Sequence, residues 1–414
     1  MKMKVKNKLT KSELLAPAGD YEKANIALEY GADAVFLGAK AYSLRSQASN
    51  FFMSDIKNTC DRAHELNKKV YVTVNVICHN ALLAGFPKFM ADLAKTGVDA
   101  LIVADPFIID YVHRTYPQLE IHLSTQQSVT NSLAAKFWKK NGLQRIVLGR
   151  EVTMNELSSL MENVKGIVEI EYFIHGAVCI SYSGRCMMSN NWSLRDSNVG
   201  GCAQSCRWLF DLKNETQTKS YGSTFTMSPK DMMLLDEIKN LMQIGVISFK
   251  VEGRMRSLNY IATVIKSYRA AIDAYYKNNL NLKQEKQLIK NIKKTLTYAE
   301  NRPTSSAFSR GQPGTKAMLL HEEDRKVKQT FAFVIQKAEG SLYEVICRNN
   351  FQQKQIFSIF GPKHEYQKIK IKKLYDANKN LIDVAKTPMH KYYIQFHKKL
   401  TLQKNDIGRI ENKD

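Results

Sequence analysis

The chain has 414 residues, of which 44% are hydrophobic, so it is long enough for two or three domains and apolar enough to build their cores. This composition excludes an intrinsically disordered chain. Basic residues outnumber acidic ones by 61 to 39, and the net charge of +22 favours a polyanionic partner such as a nucleic acid, although a lysine-rich proteome would produce the same surplus.

Eight short apolar runs rich in β-branched residues recur along the first part of the chain, with helix-length amphipathic segments between them. The predicted strands are 13–16, 34–37, 69–74, 100–103, 121–123, 145–148, 169–173 and 247–251. Gly31, Gly97, Gly142 and Gly245 stand where helices are expected to end before the next strand. The alternation predicts an α/β fold of the (β/α)₈ TIM-like barrel type. An open doubly wound sheet is the alternative, because counting strands does not show closure.

A long insertion is predicted after the seventh strand, because the seventh and eighth predicted strands start 78 residues apart. We place this insertion at residues 176–230. It contains four of the seven cysteines: Cys179, Cys186, Cys202 and Cys206. Loops that leave the C-terminal ends of barrel strands carry the chemistry in such folds, so the cluster predicts a metal site. The six-residue gap between the first two cysteines suits an iron–sulfur cluster better than paired zinc ligands, with zinc and unligated thiols as alternatives.

Polar side chains follow the predicted strands, where a barrel places its active site. They are Asn75, Asp105, Gln126, Arg150, Glu151, His175, Glu252 and Arg254. We predict His175 and Glu252 as catalytic groups. We predict substrate or anion binding by four residues: Gln126, Arg150, Arg254 and Arg256. The two last arginines open the final barrel helix, a place where barrels hold a phosphate or carboxylate, and ion pairs with neighbouring carboxylates are the alternative.

The C-terminal part alternates apolar and polar residues at strand period, which predicts a small β-barrel domain over residues 329–414. Its predicted strands are 331–335, 342–347, 355–360, 368–371 and 392–396. A helical and loop connector, 279–328, would join it to the barrel, 1–278. Residues 276–414 carry 28 basic and 13 acidic side chains, a net +15, against +7 for residues 1–275. Lysines 368, 370, 372 and 373 lie near Tyr366 and Tyr375, a composition typical of RNA-binding faces, with a solvated lysine face as the alternative.

The basic N-terminal run, 1–6, is not followed by an apolar stretch of signal-peptide length, and no run is long enough to span a bilayer. We therefore expect a cytoplasmic protein without membrane contact, in which the cysteines stay reduced. Neither G-x-S-x-G nor H-E-x-x-H occurs in the sequence. Cys179 with nearby His175 resembles a thiol protease pair, but ligation to a cluster would consume that thiolate.

Several runs resemble the peptidase U32 family, the collagenase-like proteases. The longest reads Glu-Tyr-Phe-Ile-His-Gly-Ala-Val-Cys at 171–179 and continues as Gly-Arg-Cys-Met-Met-Ser at 184–189. The others are 14–19, 123–126, 149–151, 228–231, 249–255 and 359–362. The resemblance covers nearly the whole chain. The family usually has Asp-Met-Ile-Arg where this chain has Asp406-Ile407-Gly408-Arg409, and Gly-Asp where it has Gln353-Lys354. These departures put the role of the C-terminal domain in question.

The resemblance implies an RNA-modifying enzyme. Similar bacterial proteins of this length hydroxylate the wobble uridine of tRNA to 5-hydroxyuridine, use a cysteine-bound iron–sulfur cluster of the 4Fe–4S type, and depend on prephenate. The family pattern implies the four clustered cysteines as ligands, tRNA as a partner, a dicarboxylate co-substrate, and room for a second protein of the same family. Hydrolysis of peptide bonds by a U32-type peptidase and hydroxylation of another RNA, such as ribosomal RNA, are the alternatives.

Overall fold

The computed structural model describes residues 9, 11–45, 49–214, 217–299, 302–320, 329–398 and 400–411. The basic run 1–6 and the stretch 321–328 of the predicted connector lie outside the described residues. Within the described ranges, no helix combines the length and the apolar character needed to cross a membrane.

The first domain is a closed barrel of eight parallel strands. In chain order they are β1 (Glu13–Pro17), β2 (Ala34–Gly38), β3 (Lys69–Val74), β4 (Ala100–Val103), β5 (Glu120–Leu123), β6 (Arg145–Val147), β7 (Glu169–Gly176) and β8 (Ser248–Val251). Strand β8 pairs in parallel with both β1 and β7, which closes the sheet. The predicted TIM-like barrel is therefore confirmed, and the open-sheet alternative is wrong.

Helices cover the outside of the barrel. They are α1 (Tyr21–Glu29), α2 (Met53–Glu65), α3 (Phe86–Ala94), α4 (Pro106–Thr115), α5 (Ser132–Lys140), α6 (Met154–Val164), α7 (Ile238–Gln243) and α8 (Leu258–Lys277). Several begin at a residue whose side chain accepts a hydrogen bond from the first turn, as Asp20 does for α1 and Ser257 for α8. The four glycines predicted to end helices have positive φ angles of 83–114°. Glycine reaches this region without a Cβ penalty, which explains the residue type.

Paired charges fill the lower half of the barrel interior. Arg145 donates to Glu13 at 2.7 Å and to Glu169 at 2.9 Å, and Lys250 donates to Glu171 at 2.7 Å. Buried charges of this kind are tolerated because each has an opposite partner and further hydrogen bonds. Each of the two cations in this layer is thereby paired with a carboxylate, and Lys250 also lines the cavity of the barrel.

The insertion leaves the C-terminal end of β7. It contains a short helix, Met188–Ser193, and a hairpin of Phe210–Asn214 with Gln217–Phe225. It then returns as Asp231–Met233, which pairs antiparallel with the end of β7. The predicted cysteine-rich insertion therefore lies on the C-terminal face of the barrel, where the strands end.

The chain then passes through α9 (Leu282–Leu296), which packs on α8, to the second domain. This domain is an antiparallel barrel of β9 (Gln329–Glu339), β10 (Leu342–Cys347), β11 (Ile356–Phe360), β12 (Gln367–Tyr375), β13 (Lys391–Phe396) and β14 (Ile407–Glu411). The strands follow the order β11-β14-β9-β10-β13-β12, and β11 pairs with β12 to close the barrel. The predicted small β-barrel is confirmed, and β14 is the strand that the sequence prediction missed.

The two domains share a packed interface. The Tyr30 hydroxyl donates to the backbone oxygen of Asn405 at 2.8 Å. The fully buried Arg409 lies 4.1 Å from the ring centre of Phe360 and donates to Thr263 of α8 at 3.4 Å. The family's Asp-Met-Ile-Arg turn therefore keeps its arginine here, and that arginine joins the domains.

Gly408, which lies in β14 beside Arg409, also has a structural reason. A Cβ on Gly408 would lie 2.2 Å from the ring of Phe333, which is fully buried. Phe333 thus occupies the volume that a side chain at 408 would need. The departure from the family sequence is accommodated inside the small barrel.

Candidate active site

A cavity of about 130 Å³ lies at the C-terminal end of the (β/α)₈ barrel, between the loops and the insertion. All four clustered cysteines line it: Cys179, Cys186, Cys202 and Cys206. Its wall also includes cationic side chains and one carboxylate: Arg45, Arg150, Lys250, Glu252 and Arg254. The structure thus brings the predicted metal ligands and most of the predicted anion-binding residues to one place.

The four cysteines are free thiols, and all of them line the cavity. Cys179 is exposed and the other three are half-buried. Burial raises the pKa of the Cys206 thiol to about 11, Arg207 opposes this rise, and the negative charges of the other three cysteines reinforce it. Among the residues described, no three His, Cys, Asp or Glu side chains converge closely enough to hold a single metal ion. Four free thiols on one cavity are nevertheless the donor set that an iron–sulfur cluster requires.

The insertion is fixed to the barrel beside these thiols. The backbone N–H and hydroxyl of Ser183 donate to Glu151 at 2.8 and 3.1 Å. Gly184, with φ of +74°, sits so close to the turn at Gln126 that a Cβ would lie 2.0 Å from the Gln126 carbonyl oxygen. Glu151 therefore holds the insertion, and Gln126 supports it while also lining the cavity.

Four cations surround Glu252, and we call them the cation ring: Arg45, Arg150, Lys250 and Arg254. Burial alone would raise the pKa of Glu252, but these four positive charges outweigh burial and hold its pKa below the ordinary value. Glu252 is therefore ionised at neutral pH. Arg150 lies 3.5 Å from a Glu252 oxygen and stacks on Phe173 with 3.8 Å from the guanidinium carbon to the ring centre.

Arg254 is buried, yet its hydrogen-bond partners are uncharged. Its Nη1 donates to the hydroxyls of Ser43 at 2.9 Å and Thr73 at 3.2 Å, and its Nη2 donates to Asn50. Burial and the nearby Arg45 lower its pKa to about 10, so it stays protonated at neutral pH. A Cβ on Gly38 would lie 2.2 Å from Nη2, so only glycine leaves room for the guanidinium. This geometry positions a positive charge without neutralising it.

Arg256 behaves differently and pairs with a carboxylate. It donates to Asp231, which also accepts from Arg302 at 3.3 Å. Arg256 is not among the residues that line the cavity. The ion-pair alternative therefore describes Arg256, and the anion-binding role predicted for it stays a prediction.

His175 points away from the cavity. Lys250 pairs with Phe173 but Val251 pairs with His175, so one extra residue bulges out of β7 and turns His175 toward helix α8. There its Nδ1 lies 3.2 Å from the Tyr268 hydroxyl. Burial and the positive charge of Arg256 lower the pKa of His175 to about 3, which keeps the ring neutral. The catalytic role predicted for His175 stays a prediction without support from the cavity lining.

Two further polar residues at strand ends, Asp105 and Asn75, differ in what they contact. Asp105 caps α4 through the N–H groups of Phe107 and Ile108, so it stabilises a helix start. Asn75 lines the cavity and accepts from the Leu44 N–H at 3.3 Å.

Arg45 is the site residue that sequence reasoning missed. It is seven positions beyond the end of β2, whereas the predictions considered polar residues next to strand ends. Glu252 chiefly raises the pKa of Arg45, and the charges of Cys179 and Cys202 raise it further. Arg45 is thus the member of the cation ring whose pKa the cysteines also affect, and an arginine in the loop after a barrel strand was the available signal.

The profile of peptidase family U32 matches residues 19–319, and the profile of the U32 C-terminal domain matches residues 328–409. The chain belongs to peptidase family U32. The resemblance noted in the sequence is thereby confirmed across both domains.

Characterised members of the family have different names. The chain is 40% identical to tRNA hydroxylation protein P1 of Bacillus subtilis, over 94% of this chain and 93% of that protein. It is 36% identical to the 23S rRNA 5-hydroxycytidine C2501 synthase of Escherichia coli, over 63% of this chain and 39% of that protein. It is 32% identical to a collagenase of Porphyromonas gingivalis, over 64% of this chain and 66% of that protein.

Proposed function

We propose that this U32 protein is an RNA hydroxylase that converts the wobble uridine of tRNA to 5-hydroxyuridine, with an iron–sulfur cluster and prephenate as co-substrate. The Bacillus subtilis relative, which matches 94% of this chain, is named for tRNA hydroxylation, which supports RNA as the substrate class. The observation that carries the proposal is the cavity, where four free thiols and the cation ring face one small volume.

The four clustered cysteines are the proposed ligands of the cluster. Conversion of a C–H bond to C–OH is an oxidation of the base, and a cluster held by these cysteines would supply electron-transfer chemistry that amino acid side chains lack. The protein's own contribution is positional. Glu151 and the turn at Gln126 fix the insertion, so the thiols are held at the barrel mouth before any cofactor binds.

The cation ring is the proposed site for the dicarboxylate. Arg254 presents a positive charge whose partners are neutral, and Arg150 has a buried Nε without a hydrogen-bond partner among the described residues. A carboxylate on the ligand would satisfy such donors and form charge-assisted hydrogen bonds in a partly buried setting. Glu252 is the carboxylate that keeps these cations in place, and the proposed catalytic role for it is to accept a hydrogen bond or proton.

The small β-barrel is the proposed tRNA-binding module. On β12, Lys370, Lys372 and Lys373 are exposed while Ile369, Ile371 and Leu374 face the core. The strand therefore projects a row of positive charge from a rigid support. Phosphate contacts by such lysines would add affinity without sequence specificity.

A deletion strain tests the function. We expect mass analysis of its tRNA nucleosides to show loss of 5-hydroxyuridine, restored by the wild-type protein but not by Cys202→Ser. Cys78→Ser is the matched control, because this half-buried thiol is not part of the cavity lining and should restore the nucleoside. Iron analysis of the purified proteins should give the same ranking. An unchanged nucleoside profile in the deletion strain would reject the proposal, and gelatin hydrolysis by iron-free protein would favour a peptidase.

A further inference from the structure

Large apolar side chains are exposed in unusual number along the insertion, and two of them, Ile180 and Tyr182, line the cavity. Seven large hydrophobic residues that are exposed on the described surface lie in one stretch of the insertion, 180–209. They are Ile180, Tyr182, Met187, Trp192, Leu194, Trp208 and Leu209. Exposed hydrophobic residues scattered singly need no explanation, but a concentration in one segment marks a binding surface.

Tyr182 has the most specific position in this group. Its side chain lines the cavity with the four cysteines, yet 49% of the residue is exposed. The next residue, Ser183, is tied to Glu151 by two hydrogen bonds, and its carbonyl accepts from the Ser128 hydroxyl. Tyr182 therefore lies at the cavity wall, is partly open to solvent, and precedes a backbone position that is fixed to the barrel. A ring in this position can stack on a flat ligand that enters the cavity from solvent.

The surroundings of Tyr182 are positively charged. Residues 177–209 contain three arginines and one acidic residue, Asp196. Arg185 follows Tyr182 by three positions, is exposed, and is oriented by a hydrogen bond from its Nε to Ser128 at 3.2 Å. Aromatic rings combined with arginines form the surfaces on which proteins stack the bases of single-stranded nucleic acids, because every base has a π face and every nucleotide a phosphate.

We propose that Tyr182 stacks on the target base of a single-stranded RNA loop as that base enters the cavity, and that Arg185 contacts the adjoining phosphate. The inference rests on the proposed function and specifies how the RNA is presented. A base inside a helix cannot reach a recessed site, so enzymes that modify bases extrude the nucleotide and stack it against aromatic or apolar side chains. The cavity is recessed between the barrel loops and the insertion, so a base inside a paired helix would have to leave the helix to enter it.

The test is a double-mutant cycle between the ring and the base. The protein is the full chain, purified anaerobically, as wild type, Tyr182→Ala, Tyr182→Phe and Leu194→Ala. Leu194 is 92% exposed in the same insertion but does not line the cavity, which makes it the matched control. The probes are a short RNA stem-loop with the target uridine, the same stem-loop with an abasic site at that position, and a duplex without a loop. Thermal unfolding of each variant checks that it is folded.

Base–aromatic stacking contributes about 1–3 kcal/mol, so Tyr182→Ala should weaken binding of the stem-loop by about 5- to 150-fold. Tyr182→Phe and Leu194→Ala should stay within about twofold of wild type, since the first keeps the ring and the second leaves it untouched. The abasic probe should bind the wild type as weakly as the intact probe binds Tyr182→Ala. Removing the base should then weaken binding to Tyr182→Ala only slightly further.

Two outcomes overturn the inference while leaving RNA hydroxylation intact. One is that Tyr182→Ala binds the intact stem-loop as wild type does. The other is that the losses from Tyr182→Ala and from the abasic site add, which would place the ring away from the base. A wild type that binds neither stem-loop nor duplex would instead reject the proposed function. Loss of self-association in Tyr182→Ala, with RNA binding unchanged, would assign the surface to a second protein copy.

Discussion

Substitution of Arg254 tests whether the cation ring needs only a positive charge at this position or also the hydrogen bonds of the guanidinium. The guanidinium bonds Ser43 and Thr73 through one nitrogen and Asn50 through the other. A lysine keeps the positive charge near Glu252, but one ammonium cannot reach both sides. Hydrogen bonds of charged groups contribute about 1.5–3 kcal/mol each. We therefore expect Arg254→Lys to lower the free energy of unfolding by about 1.5–3 kcal/mol, and Arg254→Met to lower it by more, because all three partners lose their donor.

Thermal unfolding with and without prephenate separates this stability loss from ligand binding. A ligand that binds only the folded state adds about 2.7 kcal/mol at a hundredfold excess over its Kd. We expect the prephenate-induced rise in Tm to be reduced in Arg254→Lys and absent in Arg254→Met. Arg256→Met is the control, because Arg256 pairs with Asp231 outside the cavity, so this variant should lose stability but keep the rise. An undiminished rise in Arg254→Met would refute the assignment of the dicarboxylate to the cation ring.

Three further predictions concern the C-terminal domain. Gly408→Ala should lower its stability by about 1–3 kcal/mol by overpacking against Phe333, and Phe333→Leu in the same chain should recover part of the loss in denaturant titrations. Burial raises the pKa of Asp406 to about 6, so its contribution to stability is present below the unfolded value near 4 and is lost as pH rises through 6. Asp406→Asn should therefore gain stability relative to wild type as pH rises through that window, and a constant difference would contradict this. Lys370→Glu with Lys372→Glu should weaken tRNA binding and flatten its salt dependence, with little change in Tm, and an unchanged salt slope would remove these lysines from the interface.

The fold was largely predictable because a closed parallel barrel repeats one pattern. Strands β3 and β4 begin and end at the predicted residues, since buried strands read as short β-branched runs. The helix-length segment expected between β3 and β4 is instead a short helix, Asn80–Leu83, followed by α3, which has Pro87 in its first turn. Proline fits the start of a helix and interrupts its interior, so the signal for two helices was in the sequence.

The site was less predictable because side-chain direction depends on local register. His175 lies in a strong family motif at a strand end, and a single bulge against β8 turns it to the outside of the barrel. No pattern of residue types shows such a bulge before the strands are paired. Arg45 reaches the cavity from within a loop, where periodicity gives no direction at all. The cysteines were found because their chemistry alone, rather than their register, identified them.

The balance of positive and negative side chains around the cavity predicts which charge the co-substrate should carry. Lys250 is paired with Glu171 below the cavity, so it adds no net charge above it. Among the described residues that line the cavity, Glu252 is the one carboxylate for the remaining ring cations, Arg45, Arg150 and Arg254, so three cations share one carboxylate in a partly buried space. Such a surplus is costly until an anion compensates it, and a dicarboxylate brings two negative charges to it. A monocarboxylate analogue should therefore bind more weakly than the dicarboxylate by more than the loss of one surface ion pair, about 0–1 kcal/mol, because it would leave one cation buried and unpaired. Equal affinity for the two ligands, measured by titration at the same ionic strength, would show that the surplus charge serves another group.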